Sequence, residues 1–335
     1  MLKTVIIGLG DISPVHIAAI TSLQDKAVLA AGCDTDEGRK ASLPPGTAFY
    51  ADYKEMLRQE KPDVVHICLP HYLHYQAARD AAEAGCNVFA EKPLALNYRD
   101  GLEYAKLEAA NQVKICICLQ NRRNKTSEKL MELLKSGEAG PISGIHGTVA
   151  WKRSKAYYDA KSWRGIMSLA GGGCMINQAL HTMDLMYYFA GSPIKSVKGT
   201  IAQILDYGIE VEDTAAARIE FENGVTGLFT GSVANSRDEA VEIEVSCEKA
   251  TFTIRNQTLY RRDQGGETIL ARDDVPALAV GKAVYGNSHQ KLIAQFYQVL
   301  QTGSGDYIRP QDALMVTRFI DAVRESSETG KTIRF

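Results

Sequence analysis

The chain is predicted to fold as α/β, with a doubly wound, mostly parallel sheet first and an α+β domain of antiparallel hairpins after it. Three observations carry this. Residues up to about 120 alternate short apolar runs with amphipathic segments, and glycines separate the first run from the first amphipathic segment. After Gln120 the segments become long, alternating and rich in β-formers.

Taken in order, "KTVIIGLG" is a strand ending in glycines, and "SPVHIAAITSL" carries apolar residues at helical spacing. "AVLAAGCD" is a second strand and "KPDVVHICLP" a third, followed by the helix "HYLHYQAARDAAEAG". "CNVFAEKP" is a fourth strand, "YRDGLEYAKLEAAN" a helix and "VKICICLQ" a fifth strand. Repetition of strand, helix and strand implies right-handed crossovers and a parallel sheet. Then "NKTSEKLMELLKSGEAG" reads as a helix stopped by glycine. "ISGIHGTVAW", "TAAARIEFENGVTGLFTGSV" and "AVEIEVSCEKATFTIRN" read as strands, with hairpin turns at "ENG" and "CEKA". Two amphipathic helices, "HQKLIAQFYQVLQTG" and "PQDALMVTRFIDAVRESSETG", come near the end. The boundary falls near residue 121, which gives domains of 1–121 and 122–335.

A length of 335 residues favours two domains over one core. With 45% hydrophobic and 23% charged residues, composition is that of an ordinary globular protein. Net charge of −2 and pI near 6.4 offer no basic face to nucleic acid or an anionic membrane. No apolar run approaches the roughly 20 residues of a membrane span, and "MLKTVIIGLGDIS" lacks the pattern of a signal peptide. Seven scattered cysteines suit a reducing cytoplasm. Cys116 and Cys118 share one strand face with no metal-ligand partners nearby, so they read as packing, and no metal is expected.

"VIIGLGDIS" places Gly8 and Gly10 between strand and helix, where glycine permits a tight turn and close approach to a pyrophosphate. Asp11 and Ile12 complete the turn, and Ser13 stands in place of a third glycine. Asp34 ends the second strand at the separation expected of an acid that accepts from the adenosine ribose, which favours NAD over NADP. The competing reading makes Asp34 or Asp36 the cap of the helix "EGRKASL", and Arg39 is placed to meet a 2′-phosphate instead.

The densest constellation is "WRGIMSLAGGGCMINQALHTMDLMYYFAG". Gly171 to Gly173 read as a flexible start to a helix on which Asn177, His181 and Asp184, at spacings of four and three, share one face. A polar stripe on an otherwise apolar helix is costly unless it is used. In the last third of the first domain, "FAEKPLAL" fixes Lys92 in extended backbone before Pro93 at the end of a strand.

With these motifs the chain resembles the glucose–fructose oxidoreductase and inositol dehydrogenase (Gfo/Idh/MocA) family. "GLGDIS" with His16 following, "CD", "CLPHYLH", "EKPLALN", "GGGCMINQALHTMDL" and "SSETGKTI" occur in the family's order over nearly the whole length. The resemblance implies an N-terminal Rossmann domain, and a C-terminal α+β domain with a large, mostly antiparallel open sheet that forms a homodimer or homotetramer. It also implies hydride transfer between a nicotinamide cofactor and an alcohol or ketone of a sugar, sugar derivative or cyclitol. Lys92 matches the family's catalytic lysine and His181 its acid/base. Asn177 stands where the inositol dehydrogenase pattern has an aspartate, and asparagine can orient but cannot exchange a proton. Leu69, Pro70, His71, His74, Glu91 and Lys92 are expected on the cofactor side. His71 departs from the asparagine or threonine more usual there.

Chemically, the hydroxyl proton of a carbinol needs a base near neutrality, which imidazole provides, and an ammonium stabilises oxygen as it gains charge. Lys92 and His181 are therefore expected to converge beside the cofactor's reactive ring. Arg122, Arg123, Lys152, Tyr157, Tyr158, Trp163 and Arg164 are further candidates for a polyhydroxylated substrate, each also explicable as rim or structure; Tyr285 and His289 are others. The alternatives are an NADP-linked or cofactor-retaining oxidoreductase, a redox-neutral glycosidase, and a non-catalytic dinucleotide or sugar sensor. A sensor can dispense with the lysine and histidine that this chain keeps.

Overall fold

In the computed structural model, which describes residues 1–274 and 288–335, the first unit is built on six parallel strands. These are β1 (Leu2–Ile7), β2 (Ala27–Cys33), β3 (Ala48–Tyr50), β4 (Val64–Ile67), β5 (Asn87–Ala90) and β6 (Ile115–Ile117), in the order β3-β2-β1-β4-β5-β6. Helices α1 (Ser13–Ser22), α2 (Tyr53–Glu60), α3 (His74–Glu83), α4 (Tyr98–Ala105) and α5 (Leu107–Asn111) lie between the strands in sequence. Val5, Ile6, Val64, Val65, Val88 and Phe89 are wholly buried, as strands covered on both faces require. Five strands are expected from the sequence; β3 is the sixth. Its three residues show no period, yet they pair with the end of β2. The segment "EGRKASL" is a short 3-10 stretch, Glu37–Ser42, rather than an α-helix.

The second unit contains α6 (Lys125–Ser136), β7 (Ile142–Ala150), α7 (Lys155–Asp159), α8 (Met167–Ala170), α9 (Leu180–Ala190), β8 (Ile194–Ala202), β9 (Thr214–Phe221), β10 (Thr226–Ser232), β11 (Glu242–Cys247), β12 (Thr251–Arg255), β13 (Thr258–Asp263) and β14 (Gly266–Arg272). Later come α10 (Ser288–Thr302), α11 (Pro310–Thr329) and β15 (Ile333–Arg334). The second sheet runs β14-β13-β12-β11-β7-β10-β9-β8-β15, and its neighbours are antiparallel except β7 and β10. Alternation sets its two faces: Ala215, Ala217, Ile219 and Phe221 of β9 are buried, while Arg218 between them is exposed. The "ENG" turn joins β9 to β10 as expected, with Gly224 at φ +88°.

Residues 1–120 group with the described residues 288–314, and 121–274 group with 315–335. The partition read from the sequence was contiguous, whereas α10 joins the first unit, where it packs on α1. Its buried stripe of Leu292, Ile293 and Phe296 drives that placement. Among the described residues no helix is long and apolar enough to cross a membrane.

Candidate active site

The carboxyl edge of the parallel sheet gathers the residues expected at a dinucleotide. Gly8 follows β1 at φ +93°, and a Cβ there would lie 2.5 Å from the Cys68 carbonyl oxygen, so only glycine fits. A Cβ on Gly10 would meet nothing within 4 Å, which leaves room for a pyrophosphate at the start of α1. Asp11 is exposed and Ile12 half-buried on the same turn. Ser13 is wholly buried and donates its hydroxyl to the Gly10 carbonyl at 2.9 Å, bracing the turn where a third glycine is usual.

Asp34 ties this turn to the end of β2. Its carboxylate accepts from the Leu9 N–H at 2.8 Å and from the Asp36 N–H at 3.0 Å. The 3-10 stretch is capped by Asp36, which accepts from the Gly38 N–H at 3.0 Å. The capping role in the competing reading therefore falls to Asp36. Arg39 lies 3.6 Å from Asp36 as an exposed ion pair. These features fit a dinucleotide: a glycine turn without side-chain obstruction, a helix N-terminus, and a carboxylate at the second strand's end.

Leu69 and Pro70 follow β4, and His71, buried, opens a short 3-10 turn. His74 is buried at the start of α3 with Nδ1 2.9 Å from the Pro93 carbonyl and Nε2 2.8 Å from the Leu69 carbonyl. Burial lowers its pKa, against the upward pull of those carbonyls. His74 thus braces the loop after β5 against the loop after β4.

The Lys92–Pro93 peptide bond is cis. Lys92 is half-buried, and burial pushes its ammonium pKa down while Glu91 and Cys118 pull it up. Glu91 is buried with Oε1 2.9 Å from His16 Nε2 and 3.5 Å from His289 Nε2. Burial would raise its carboxyl, but the bonds from His16 and His289 outweigh this and hold it well below the usual range. These three side chains are also the donors of a conceivable metal site, with ligand atoms within 4.8 Å of one another. The 2.9 Å contact of His16 with Glu91 has the length of an ordinary hydrogen bond, so we read a hydrogen-bonded group. His289, a candidate for the substrate side, is thus buried beside Glu91; Tyr285 lies outside the described residues.

In the second unit the polar stripe begins on a π-helical turn, Met175–Ala179, that runs into α9. Such turns recur at functional sites. Asn177 and His181 are half-buried and Asp184 is buried. Asp184 binds Arg122 through two bonds, Nε to Oδ2 at 2.9 Å and Nη2 to Oδ1 at 2.6 Å. The Arg122 guanidinium also lies over the Tyr188 ring, so this pair holds α9 in place.

Gly173 needs glycine for a different reason from the hinge expected. A Cβ there would come within 1.9 Å of the Glu212 carbonyl oxygen. The buried Glu212 carboxylate accepts from the Gly173 N–H at 2.9 Å and the Met175 N–H at 3.1 Å, fixing the helix start. Glu212 has no sequence signal, since it comes from a loop before β9.

Of the neighbouring tyrosines, Tyr158 is buried in a cluster with Ala170 and Val211, whereas the Tyr157 hydroxyl accepts from Asn177 and Gln178. Arg164 lies 4.2 Å over the Tyr157 ring and donates to the Tyr157 carbonyl; Trp163 is half-buried in the same cluster.

A two-domain chain with a dinucleotide edge on its parallel sheet defines the class: a nicotinamide-linked oxidoreductase. The family model described as "Oxidoreductase family, NAD-binding Rossmann fold" matches residues 2–118, and "GFO/IDH/MocA C-terminal domain" matches residues 127–253. The chain belongs to the Gfo/Idh/MocA family. It is 25% identical to D-glucoside 3-dehydrogenase of Escherichia coli (strain K12), over 99% of this chain and 97% of that one. The WlbA dehydrogenase from Bordetella pertussis, solved with NADH and UDP-GlcNAcA, is 26% identical with a TM-score of 0.86, covering 100% of this chain and 98% of that one. A levoglucosan dehydrogenase solved with NADH and levoglucosan has a TM-score of 0.88 at 20% identity, over 99% of each chain, and shows the shared fold.

Proposed function

We propose that this enzyme interconverts a secondary alcohol and a ketone on a sugar, sugar derivative or cyclitol, with NAD as cofactor. The observation that carries the reading is Lys92. It is a cation desolvated at the same sheet edge as the glycine turn and Asp34. When bound, the dinucleotide supplies the hydride acceptor or donor. Lys92 stabilises the substrate oxygen as it gains negative charge. His181 takes the hydroxyl proton, which an imidazole does near neutrality. Asn177, with one amide N–H held by Tyr157, orients the substrate. Sugar and cyclitol dehydrogenation by similar proteins supports the substrate class. Asp34 favours NAD, because its carboxylate would repel a 2′-phosphate. The free cysteines suit the cytoplasm, and the open face of the second sheet would pair copies of the chain, to be read by analytical ultracentrifugation.

The test is NADH formation across a panel of sugars, sugar acids, sugar glycosides and inositols, repeated with two variants. Lys92→Ala is expected to lower kcat roughly 10²–10³-fold with NAD affinity nearly unchanged. His181→Ala should lower it by about 10²–10⁴-fold and remove the near-neutral ionisation from the rate profile. Unchanged turnover in Lys92→Ala would remove the lysine from the mechanism; persistence of the ionisation in His181→Ala would reassign the base.

A further inference from the structure

Behind Lys92 a chain of buried side chains crosses the core of the first unit. His16 on α1 offers Nε2 to Glu91 at 2.9 Å, and its Nδ1 lies 2.9 Å from Nδ1 of His66 on β4. His66 in turn reaches the Tyr297 hydroxyl of α10 at 2.7 Å through Nε2. His16, His66 and Tyr297 are wholly buried and His289 is nearly so. Four polar groups placed this deep require an energetic reason, since each unpaired one would cost roughly 1–3 kcal/mol.

Donor and acceptor capacity fixes how the chain is wired. Burial drives His66 to its neutral form, which has one N–H. In one order Tyr297 O–H donates to His66 Nε2, His66 Nδ1–H donates to His16 Nδ1, and neutral His16 donates Nε2–H to Glu91. In the other, which holds one proton more, His16 carries an N–H at both ring nitrogens and donates Nε2–H to Glu91 and Nδ1–H to His66 Nδ1, while His66 donates Nε2–H to the Tyr297 oxygen. Both orders satisfy every ring nitrogen of His16 and His66. Glu91 also exerts the strongest charge effect on the Lys92 ammonium, ahead of Cys118.

We propose that His16, His66, Tyr297 and His289 are positioning residues that keep Glu91 an anion, and that Glu91 in turn keeps Lys92 an ammonium. The groups facing Glu91 are His16 from α1, His66 from β4, His74 from α3, His289 from α10, and Cys68 and Cys118 from the ends of β4 and β6. Lys92 faces Glu91 and Cys118, and it also acts on His74 of α3. Both thiols are pushed well up by burial and are neutral, so Glu91 is the anion that matters to the lysine. The proposal rests on Lys92 being the cation that acts on the substrate oxygen.

The experiment is a titration of Lys92 in the intact enzyme by lysine ¹⁵Nζ NMR, its signal identified by loss in Lys92→Arg. The Glu91→Gln variant should lower the Lys92 midpoint by roughly one unit or more, as loss of an adjacent opposite charge does. His16→Leu should shift it the same way, and His16→Gln, whose amide N–H replaces Nε2–H, should return it most of the way. The alkaline limb of the kcat/KM profile should move with the NMR midpoint. An unmoved midpoint in folded Glu91→Gln overturns the proposal, and this isosteric variant serves even if His16→Leu does not fold. Because the titration uses no substrate, shifted midpoints without sugar oxidation would refute the sugar reading alone. Normal oxidation with unmoved midpoints would refute only the relay.

Discussion

The Asn177 amide donates to the Tyr157 hydroxyl at 2.9 Å, and Gln178 donates to the same oxygen at 3.0 Å. Two amides on successive residues of a π-helical turn thus converge on one phenol from α7. Fixing the Asn177 nitrogen also fixes where its carbonyl oxygen points, which is what the proposed orienting role requires of an asparagine where aspartate would titrate. Tyr157→Phe removes the acceptor from both amides. It should lower kcat/KM about tenfold, the equivalent of about 1.4 kcal/mol, through KM more than kcat. Steady-state kinetics on the substrate found in the panel would check this; unchanged kinetics would make Tyr157 a packing residue.

Asp34 holds the glycine turn and is proposed to accept from the ribose, two duties that substitutions can separate. Its carboxylate holds the Leu9 N–H at 2.8 Å, so Asp34→Ala loosens the glycine turn as well as removing the proposed ribose acceptor. Asp34→Asn keeps an oxygen for Leu9 and loses the charge together with the bond from the Asp36 N–H. Calorimetry should show NAD affinity reduced roughly tenfold to a hundredfold in Asp34→Ala, as for a charged hydrogen bond of about 1.5–3 kcal/mol. Asp34→Asn should fall by less and should gain affinity for NADP. If cofactor preference is the same in both variants, the acid serves only the turn.

The parts that were legible in the sequence are those with a strong period or a glycine that sterics demand. Five of six parallel strands, the "ENG" hairpin and the glycine turn with Asp34 follow from local pattern alone. The strand β3 was not, because three residues are held by pairing with β2 and not by any period of their own. The choice between Tyr157 and Tyr158 depends on the phase of a five-residue helix, which no adjacent pair of tyrosines announces. Gly171 to Gly173 looked like a hinge because glycine permits motion; Gly173 is required because Glu212 occupies the space of a side chain. His66 carries a local signal, a histidine inside the apolar run "VVHICL", but its partners His16 and Tyr297 are 50 and 231 residues away.

Gly173 and Gly10 provide opposite tests of what glycine does here. A methyl on Gly173 would press on the Glu212 carbonyl oxygen at 1.9 Å, which no rotamer change relieves. Gly173→Ala should therefore destabilise the fold by about 2–4 kcal/mol, measured by denaturant unfolding. Gly10→Ala meets nothing within 4 Å and should leave stability nearly unchanged while weakening NAD binding, because the methyl fills the room left for the pyrophosphate. Equal stability in the two variants would contradict the close packing of Gly173 on the loop before β9.

The buried histidines set how stability responds to acid. Burial holds His66 well below its ordinary value of 6.5, and His74 is lowered in the same sense. The unfolded chain therefore takes up protons at these rings before the folded one does. The stability that depends on the neutral rings is fully present above pH 6.5 and is lost as pH falls from there towards the folded-state values. One such ring contributes a slope of up to about 1.4 kcal/mol per pH unit in that window. Replacing it by His66→Gln, which cannot titrate but keeps an amide donor and acceptor, should flatten the fall in unfolding free energy between about pH 6.5 and 5.0 by one proton's slope. Urea unfolding at a series of pH values measures this directly, and an equal slope in the two proteins would mean that His66 binds its proton alike in the folded and unfolded states.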